Sequence, residues 1–189
     1  MNHSVYHGSK SNGLKMINPS PSTHQVPWVY ATNDPVMSAV FIGQIGGDFT
    51  LKIGRDENGM PYISERFKDA LGEAYSGGGS LYELDGDDFL EGKTSWLEEV
   101  VSEKPVKVLK ETAIKDMRGY LLGLAESGEL KISIYPEKYM CPPDDADIVE
   151  KAVLWTQQFG PSTLENLNKY HPGLVAKVKS KLEKEIKNV

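Results

Sequence analysis

The stretch "PWVYATNDPVMSAVFIG" (residues 27–43) contains a predicted strand that runs directly into a predicted helix. Its first part is rich in β-branched and aromatic side chains and lies between Pro27 and Asn33, which is typical of a short β-strand. Asp34 suits the N-cap of a helix, and Pro35 suits the first helical position. The pattern therefore predicts a strand that ends at the cap of the next helix.

The rest of the first two thirds of the chain is also typical of short strands separated by turns. The pair Asn58-Gly59 is a strong hairpin signal, and Pro105 marks an edge, a bulge or a break between two strands. Further strands are predicted in "SVYHGS" (4–9), "FTLKIG" (49–54), "MPYISE" (60–65), "LYELDGDDFL" (81–90), "SWLEEVVSEKPVKVL" (95–109) and "LKISIY" (130–135). Helices are predicted in "SERFKDALGEAY" (64–75) and on the face formed by Ile114, Met117, Tyr120, Leu121 and Leu124, with Gly128 as its C-cap.

Beyond Pro142-Pro143 the pattern is helical. The segment "DDADIVEKAVLWTQQFG" has acidic residues in its first turn, which the helix dipole favours, and the two segments that follow each open at a proline. The sequence therefore predicts an α+β protein with a body over residues 1–140. Residues 141–189 are predicted as a helical C-terminal extension packed on or beside that body.

The charge is unevenly distributed along the 189 residues. The net charge is −6, but residues 161–189 hold six lysines and three glutamates, a balance of +3, which leaves the first 160 residues at −9. An acidic body is a poor match for a phosphate backbone, because nucleic-acid binding needs clustered Lys and Arg. Nucleic acid is therefore not expected as the main partner.

The compartment is expected to be the cytoplasm. Cys141 is the single cysteine, so the chain has no internal disulfide, and the N-terminus lacks a basic segment followed by an apolar one. The apolar run "VMSAVFIGQIGG" (36–47) is too short to cross a bilayer, so no membrane association is expected. Export without a classical signal stays open.

His7 is the first candidate functional residue. It lies in "YHGS" near the end of a predicted strand, and about two dozen residues later Tyr30 lies in "VYAT" at the end of another. Each element is a short apolar strand that ends in small or polar residues. A structural hydrogen-bonding role for His7 and a packing role for Tyr30 are the alternatives.

These two motifs resemble those of the diphtheria-toxin-like ADP-ribosyltransferases, a class that includes the rifampicin-modifying transferases and, more distantly, the poly-ADP-ribose polymerases. The resemblance covers roughly residues 4–135. It implies a split mixed β-sheet that binds NAD through a His-Tyr-Glu triad on three strands. It also implies transfer of ADP-ribose to a protein or small-molecule acceptor with release of nicotinamide, NAD as the co-substrate and no metal.

The resemblance places the third triad residue in "SEKPVKVLKETAI", where Glu103 is the favoured carboxylate. Glu98 and Glu99 lie close by and stay open as alternatives for this role. A structural role for Glu103, as a solvated carboxylate in a turn, also stays open. Val101 stands two positions before Glu103, where arginine-directed toxins have Glu or Gln, so arginine is not expected as the acceptor. The carboxylate would stabilise the oxocarbenium-like transition state as nicotinamide leaves.

The other roles follow from the same resemblance. Tyr30 would offer a flat face on which the nicotinamide ring stacks, and His7 would hydrogen-bond the adenosine-side ribose. Gly8 would let its backbone approach the nicotinamide carboxamide closely. Ser9 and Thr32 complete the predicted cofactor-binding set. Further polar side chains that could contact phosphate or ribose, or instead form a polar turn, are Ser22, Thr23 and His24.

Other classes of site are not supported by the sequence. The histidines and the single cysteine lack zinc spacing, and "SGGGS" (76–80) lacks the Lys-Ser/Thr of a phosphate loop. Two alternatives to a transferase stay open. One is a non-catalytic module with the same sheet that acts by binding. The other is an NAD-using RNA 2′-phosphotransferase, which the acidic body disfavours.

Overall fold

The computed structural model describes residues 3–21, 26–43, 47–94 and 96–187. These residues belong to two compact units. The first unit is drawn from residues 1–44 and 75–131, and the second from residues 45–74 and 132–189.

The strands and helices follow in chain order. The strands are β1 (Ser4–Ser9), β2 (Met16–Ile17), β3 (Ser20–Pro21), β4 (Pro27–Thr32), β5 (Leu51–Arg55), β6 (Pro61–Glu65), β7 (Gly79–Asp85), β8 (Glu99–Ser102), β9 (Val106–Ile114) and β10 (Lys131–Ser133). The α-helices are α1 (Pro35–Val40), α2 (Ala70–Ala74), α3 (Met117–Glu126), α4 (Ala146–Phe159), α5 (Ser162–Tyr170) and α6 (Val175–Lys187). The fold is thus mixed α+β, as the sequence predicts.

The first unit contains a seven-stranded sheet with the order β2-β9-β7-β1-β4-β3, and the seventh strand, β8, pairs with β4 outside this order. The strand pairs of this sheet are antiparallel throughout the described residues. The expected mixed sheet is therefore not observed here.

This sheet is curled, and its connectivity shows why. Strands β2 and β3 lie at opposite ends of the strand order, yet only Asn18 and Pro19 separate them in the chain. Six strands side by side in a flat sheet would place the outer two about 24 Å apart. The chain from Ile17 at the end of β2 to Ser20 at the start of β3 advances by three residues, which span at most about 11 Å. The sheet must therefore bend until its two ends come close together.

A hydrophobic core lies on one face of this sheet. Its buried members come from five of the strands and are Val5, Ile17, Val29, Ala31, Tyr82, Leu84 and Val100. Because side chains alternate along a strand, His7 shares the face of Val5, whereas Tyr30 and Thr32 lie on the other face of β4.

Local signals place the helix that follows β4. The carboxylate of Asp34 accepts a hydrogen bond from the backbone N–H of Val36, at 2.8 Å, and Pro35 occupies the first turn, as predicted. The helix packs closely on β1, because a Cβ atom at Gly8 would lie 2.2 Å from the carbonyl oxygen of Ser38.

Two sequence predictions of helices need correction. Ile114 is the last residue of β9 and not part of α3, because the helix starts only after Asp116, whose side chain caps it at Gly119. The helix predicted over 64–75 shortens to α2, because β6 continues through Glu65.

The second unit contains a three-stranded sheet, β10-β6-β5, and the last three helices. Arg55 lies opposite Pro61, so the predicted turn at Asn58-Gly59 closes a hairpin, and Gly59 has a φ of 77°. The core of this unit joins helices α4 to α6 to Phe49, which lies just before β5. Its buried members are Phe49, Ile148, Val149, Ala152, Val153, Leu167 and Val178.

The predicted domain boundary at residue 140 lies inside the second unit. The C-terminal helices share their core with Phe49, so they belong to the same compact unit as residues 45–74. Within the described residues, none of the helices is long and apolar enough to cross a lipid bilayer.

Candidate functional site

His7 lies where β1 and β4 separate. Among the described residues the register of these strands contains one pair, Tyr6 opposite Thr32. Beyond it, the ring of His7 takes the place of the backbone ladder, and Nδ1 lies 2.7 Å from the carbonyl oxygen of Tyr30. The side chain of His7 therefore bridges the two strands at the point where they diverge.

The contact determines the tautomer of His7. A carbonyl oxygen only accepts hydrogen bonds, so Nδ1 carries the proton and donates it to Tyr30. Burial lowers the pKa of His7, and the hydrogen bond to Tyr30 opposes that effect only in part. At neutral pH the ring is uncharged, and Nε2 is a hydrogen-bond acceptor.

Tyr30 is half-buried and its phenol is anchored. The hydroxyl donates to the carbonyl oxygen of Val26 at 2.7 Å, and the ring meets Trp28 edge-on at a centroid distance of 6.1 Å. The phenol lies on the face of the sheet opposite the hydrophobic core, because Val29 and Ala31 occupy the core face. The structure thus brings His7 to the backbone of Tyr30, while the two rings leave their strands from opposite faces.

The three glutamates considered for the third position lie in different settings. Glu99 is the first residue of β8 and lies opposite Thr32, so it shares a face with Tyr30. Glu98 precedes the strand. Glu103 follows its end and is exposed in a turn that the hydroxyl of Ser102 forms with the backbone of Lys104.

The surroundings of Glu103 are acidic. It lines a shallow surface depression together with Asp87 and Asp88. No hydrogen bond or ion pair joins Glu103 to His7 or Tyr30 in the described part of the chain.

The remaining predicted cofactor residues have structural contacts. The missing side chain of Gly8 makes room for Ser38 of α1, so a ligand can approach Gly8 only along its backbone edge. The hydroxyl of Ser9 accepts from the N–H of Ser11 at 3.1 Å, and that of the buried Thr32 accepts from the N–H of Asp34 at 3.2 Å. The other predicted contact residues, Ser22, Thr23 and His24, lie outside the described part of the chain.

A row of polar side chains next to His7 does not stand out in the sequence. His7 lies opposite Tyr82 on β7, and Tyr82 lies opposite Glu111 on β9, so the three residues share the core face of adjacent strands. The ring centroids of His7 and Tyr82 are 6.4 Å apart. The alternation in "GSLYELD" could have placed Ser80 and Tyr82 on one face, but nothing in the sequence marks Glu111.

Glu111 is the acceptor at the end of this row. Its Oε1 accepts from the N–H of Gly13 at 2.8 Å, and the hydroxyls of Ser80 and Tyr82 lie within donating distance of the same oxygen, at 2.8 Å and 3.1 Å. These hydrogen bonds, with that of Gly13 the largest influence, and the charge of Lys15 lower the pKa of Glu111. The carboxylate is therefore ionised at neutral pH.

Among the described residues, no group of three or more His, Cys, Asp and Glu side chains is placed to hold a metal ion. Comparison with protein-family models, with curated proteins and with solved structures found no significant match to this chain.

Proposed function

We propose that the protein is an NAD-dependent ADP-ribosyltransferase whose dinucleotide site lies at the gap between β1 and β4. The observation that carries this proposal is the single register pair Tyr6–Thr32, beyond which His7 bridges the strands through the carbonyl of Tyr30. A gap between two strands is lined by both backbones and accepts side chains from either face. It therefore offers hydrogen-bonding groups to an extended, polar ligand.

His7 binds a ribose hydroxyl in this proposal. Its Nδ1–H is committed to Tyr30, and its ring is neutral because burial lowers its pKa. The remaining nitrogen, Nε2, accepts a hydrogen bond, and a sugar hydroxyl is a suitable donor.

Tyr30 supports the nicotinamide ring. Its hydroxyl is held by Val26 and its edge contacts Trp28, so the ring is fixed before a ligand arrives. An aromatic face in a fixed orientation suits stacking with a flat heteroaromatic ring.

Glu99 is the better carboxylate for the reacting centre than Glu103. Glu99 lies opposite Thr32, two positions along the face from Tyr30, and diagonal neighbours on paired strands lie within reach of long side chains. Glu103 stands beyond the strand end in an exposed turn.

The reaction exchanges one bond at the nicotinamide ribose. The bond between C1′ and the nicotinamide nitrogen breaks, and its electron pair leaves with nicotinamide. The acceptor nucleophile forms a new bond to C1′ and loses a proton. Positive charge accumulates on the sugar in between, and a nearby carboxylate stabilises it.

Nicotinamide release from NAD tests the proposal. We expect wild type to release nicotinamide, and both His7→Asn and Glu99→Gln to lose at least about a hundredfold in kcat/KM. His7→Asn is informative because the asparagine amide can still donate to Tyr30 while the acceptor at Nε2 is lost. The matched controls Glu98→Gln and Glu103→Gln should retain activity.

Three outcomes contradict parts of the proposal. Binding of NAD without turnover supports the non-catalytic module instead. Loss of activity in Glu103→Gln, with Glu99→Gln unaffected, returns the catalytic role to Glu103. Absence of NAD binding by wild type rejects the proposed function.

A further inference from the structure

Residues 11–14, shortly after His7, Gly8 and Ser9, form hydrogen bonds with side chains of two strands that are distant in the sequence, β7 and β9. The hydroxyl of Tyr82 lies 2.7 Å from the carbonyl oxygen of Ser11 and 3.2 Å from the backbone nitrogen of Leu14. The hydroxyl of Ser80 lies 2.9 Å from Oδ1 of Asn12, and the N–H of Gly13 donates to Glu111. Each of the four residues from 11 to 14 thus has a polar atom within hydrogen-bond distance of a side chain on β7 or β9.

These contacts differ from those of an ordinary surface turn. A turn usually closes through hydrogen bonds among its own residues. The partners here lie 68 to 98 positions away in the sequence. Ser11, Asn12 and Gly13 are nevertheless exposed. One side of the segment therefore contacts β7 and β9, and its other side faces solvent.

Glu111 orders this network. The hydroxyls of Ser80 and Tyr82 each carry one proton and each have two acceptors within reach, one of which is Oε1 of Glu111. The N–H of Gly13 donates to the same oxygen and does not depend on either hydroxyl proton. Hydrogen bonds to an ionised carboxylate are stronger than those between neutral groups.

Tyr82 connects residues 11–14 to His7, because its hydroxyl lies against Ser11 and Leu14 and its ring centroid lies 6.4 Å from that of His7. His7 shares its face with Tyr82 and Glu111 across adjacent strands, which lie about 4.8 Å apart. Ordering a loop before a ligand arrives removes the entropic cost of ordering it during binding.

We propose that Glu111 is a positioning residue that holds residues 11–14 beside His7 so that the exposed side of this segment binds the ribose-phosphate part of the dinucleotide. This inference rests on the proposed function. Glu111 acts through the segment and does not touch the reacting atoms. The charge of Lys15 acts on Glu111 and lowers its pKa. Among the described residues, the hydrogen bonds that Glu111 makes come from Gly13, Ser80 and Tyr82, which carry no charge.

The test compares Glu111→Gln and Tyr82→Phe with wild type. We expect each variant to raise the KM for NAD by about tenfold while kcat changes by less than about threefold, because the segment supports binding and not the chemical step. Hydrogen exchange at the amides of Gly13 and Leu14 should become faster in Glu111→Gln. Glu83→Gln is the matched control, since Glu83 lies on the other face of β7 and its carboxylate bonds Ser4; it should leave KM unchanged.

Several results would overturn the inference. An unchanged KM for NAD in both variants rejects the inference, even if hydrogen exchange at the Gly13 amide becomes faster. Glu111 would then order residues 11–14 without any effect on NAD binding. An equal loss in kcat and no change in KM also rejects it. Tyr82→Phe removes a single oxygen and retains the ring in the core, so it covers the case in which Glu111→Gln does not fold. If wild type binds no NAD by calorimetry, the proposed function fails and this inference with it, whereas normal NAD binding by Glu111→Gln rejects this inference alone.

Discussion

The Nδ1 atom of His7 lies 2.7 Å from the carbonyl oxygen of Tyr30, on the strand from which β1 has just separated. One hydrogen bond thus joins two residues 23 positions apart and replaces the ladder of backbone bonds there. It also leaves Nε2 as a hydrogen-bond acceptor on a neutral ring. The contact connects the fold of the first unit to its proposed chemistry.

The stability of the protein should depend on the protonation of His7. Burial lowers the pKa of His7 in the folded state below the usual 6.5, so the unfolded chain binds the proton more readily. The contribution of the neutral ring is fully present above pH 6.5 and is lost as the pH falls through 6.5 toward the lower folded pKa. The slope is at most about 1.4 kcal/mol per pH unit for one proton.

Urea unfolding at several pH values measures this dependence. Between pH 7.5 and pH 5, the free energy of unfolding of wild type should fall more steeply than that of His7→Asn, which cannot titrate. Parallel curves for the two proteins would show that His7 titrates normally.

Gly8→Ala should destabilise the first unit. The added Cβ would lie 2.2 Å from the carbonyl oxygen of Ser38, and backbone cannot move aside as a flexible side chain can. Overpacking of this kind costs about 1–3 kcal/mol, which thermal or urea unfolding detects.

Gly123→Ala is the matched control for this substitution. Gly123 lies inside α3, and a Cβ atom there would have no neighbouring atom within 4 Å outside its own helix, so alanine should stabilise that helix by up to about 1 kcal/mol. Equal changes in the free energy of unfolding for the two substitutions would contradict the close packing of Ser38 in α1 against Gly8 in β1.

Asp147→Asn should strongly destabilise the second unit. Both guanidinium ends of Arg66 contact Asp147, and the side chain of Arg66 is 2% exposed, so the substitution leaves a buried charge without its counter-ion. The expected loss is about 3 kcal/mol in the free energy of unfolding. Lys52→Met is the control, because the pair Lys52–Asp147 is 28% exposed on each side and should contribute at most about 1 kcal/mol.

The same carboxylate predicts a pH dependence. Burial raises the pKa of Asp147, but the hydrogen bonds and charges of Arg66 and Lys52 outweigh it and lower the pKa below the usual 3.8. This contribution is fully present above pH 3.8 and is lost as the pH falls from 3.8 through the lower folded pKa, so Asp147→Asn should weaken the loss of stability at acidic pH. A similar acid limb in both proteins would contradict the assignment.

Elements with strong local signals could be predicted from the sequence. The cap at Asp34 and the hairpin at Asn58-Gly59 each follow from a preference that one or two residues carry by themselves. The positive φ of 80° at Gly128, just after α3, belongs to the same group. For Pro105 the sequence left an edge, a bulge or a break open, and the structure has the break, between β8 and β9.

Elements that depend on distant partners could not be predicted. The boundary between β9 and α3 moved because Ile114 pairs with Gly79, a partner that no local pattern reveals. Residues 45–74 joined the C-terminal helices because Phe49 packs among them. The row His7–Tyr82–Glu111 depends on the register of three strands, and register is a property of the assembled sheet.

The sequence by itself determined the strands and helices that carry strong local signals, the acidic character of the body and the candidate residues His7 and Tyr30. These follow from side-chain size, charge and backbone preference, which act within a few residues. Only the tertiary structure decided that β1 leaves β4 after one pair, that Glu99 rather than Glu103 lies on the strand beside Tyr30, and that Glu111 fastens the segment after His7. Those relationships arise from strand pairing over separations of 23 to 98 residues, where the geometry of the whole sheet selects the contacts.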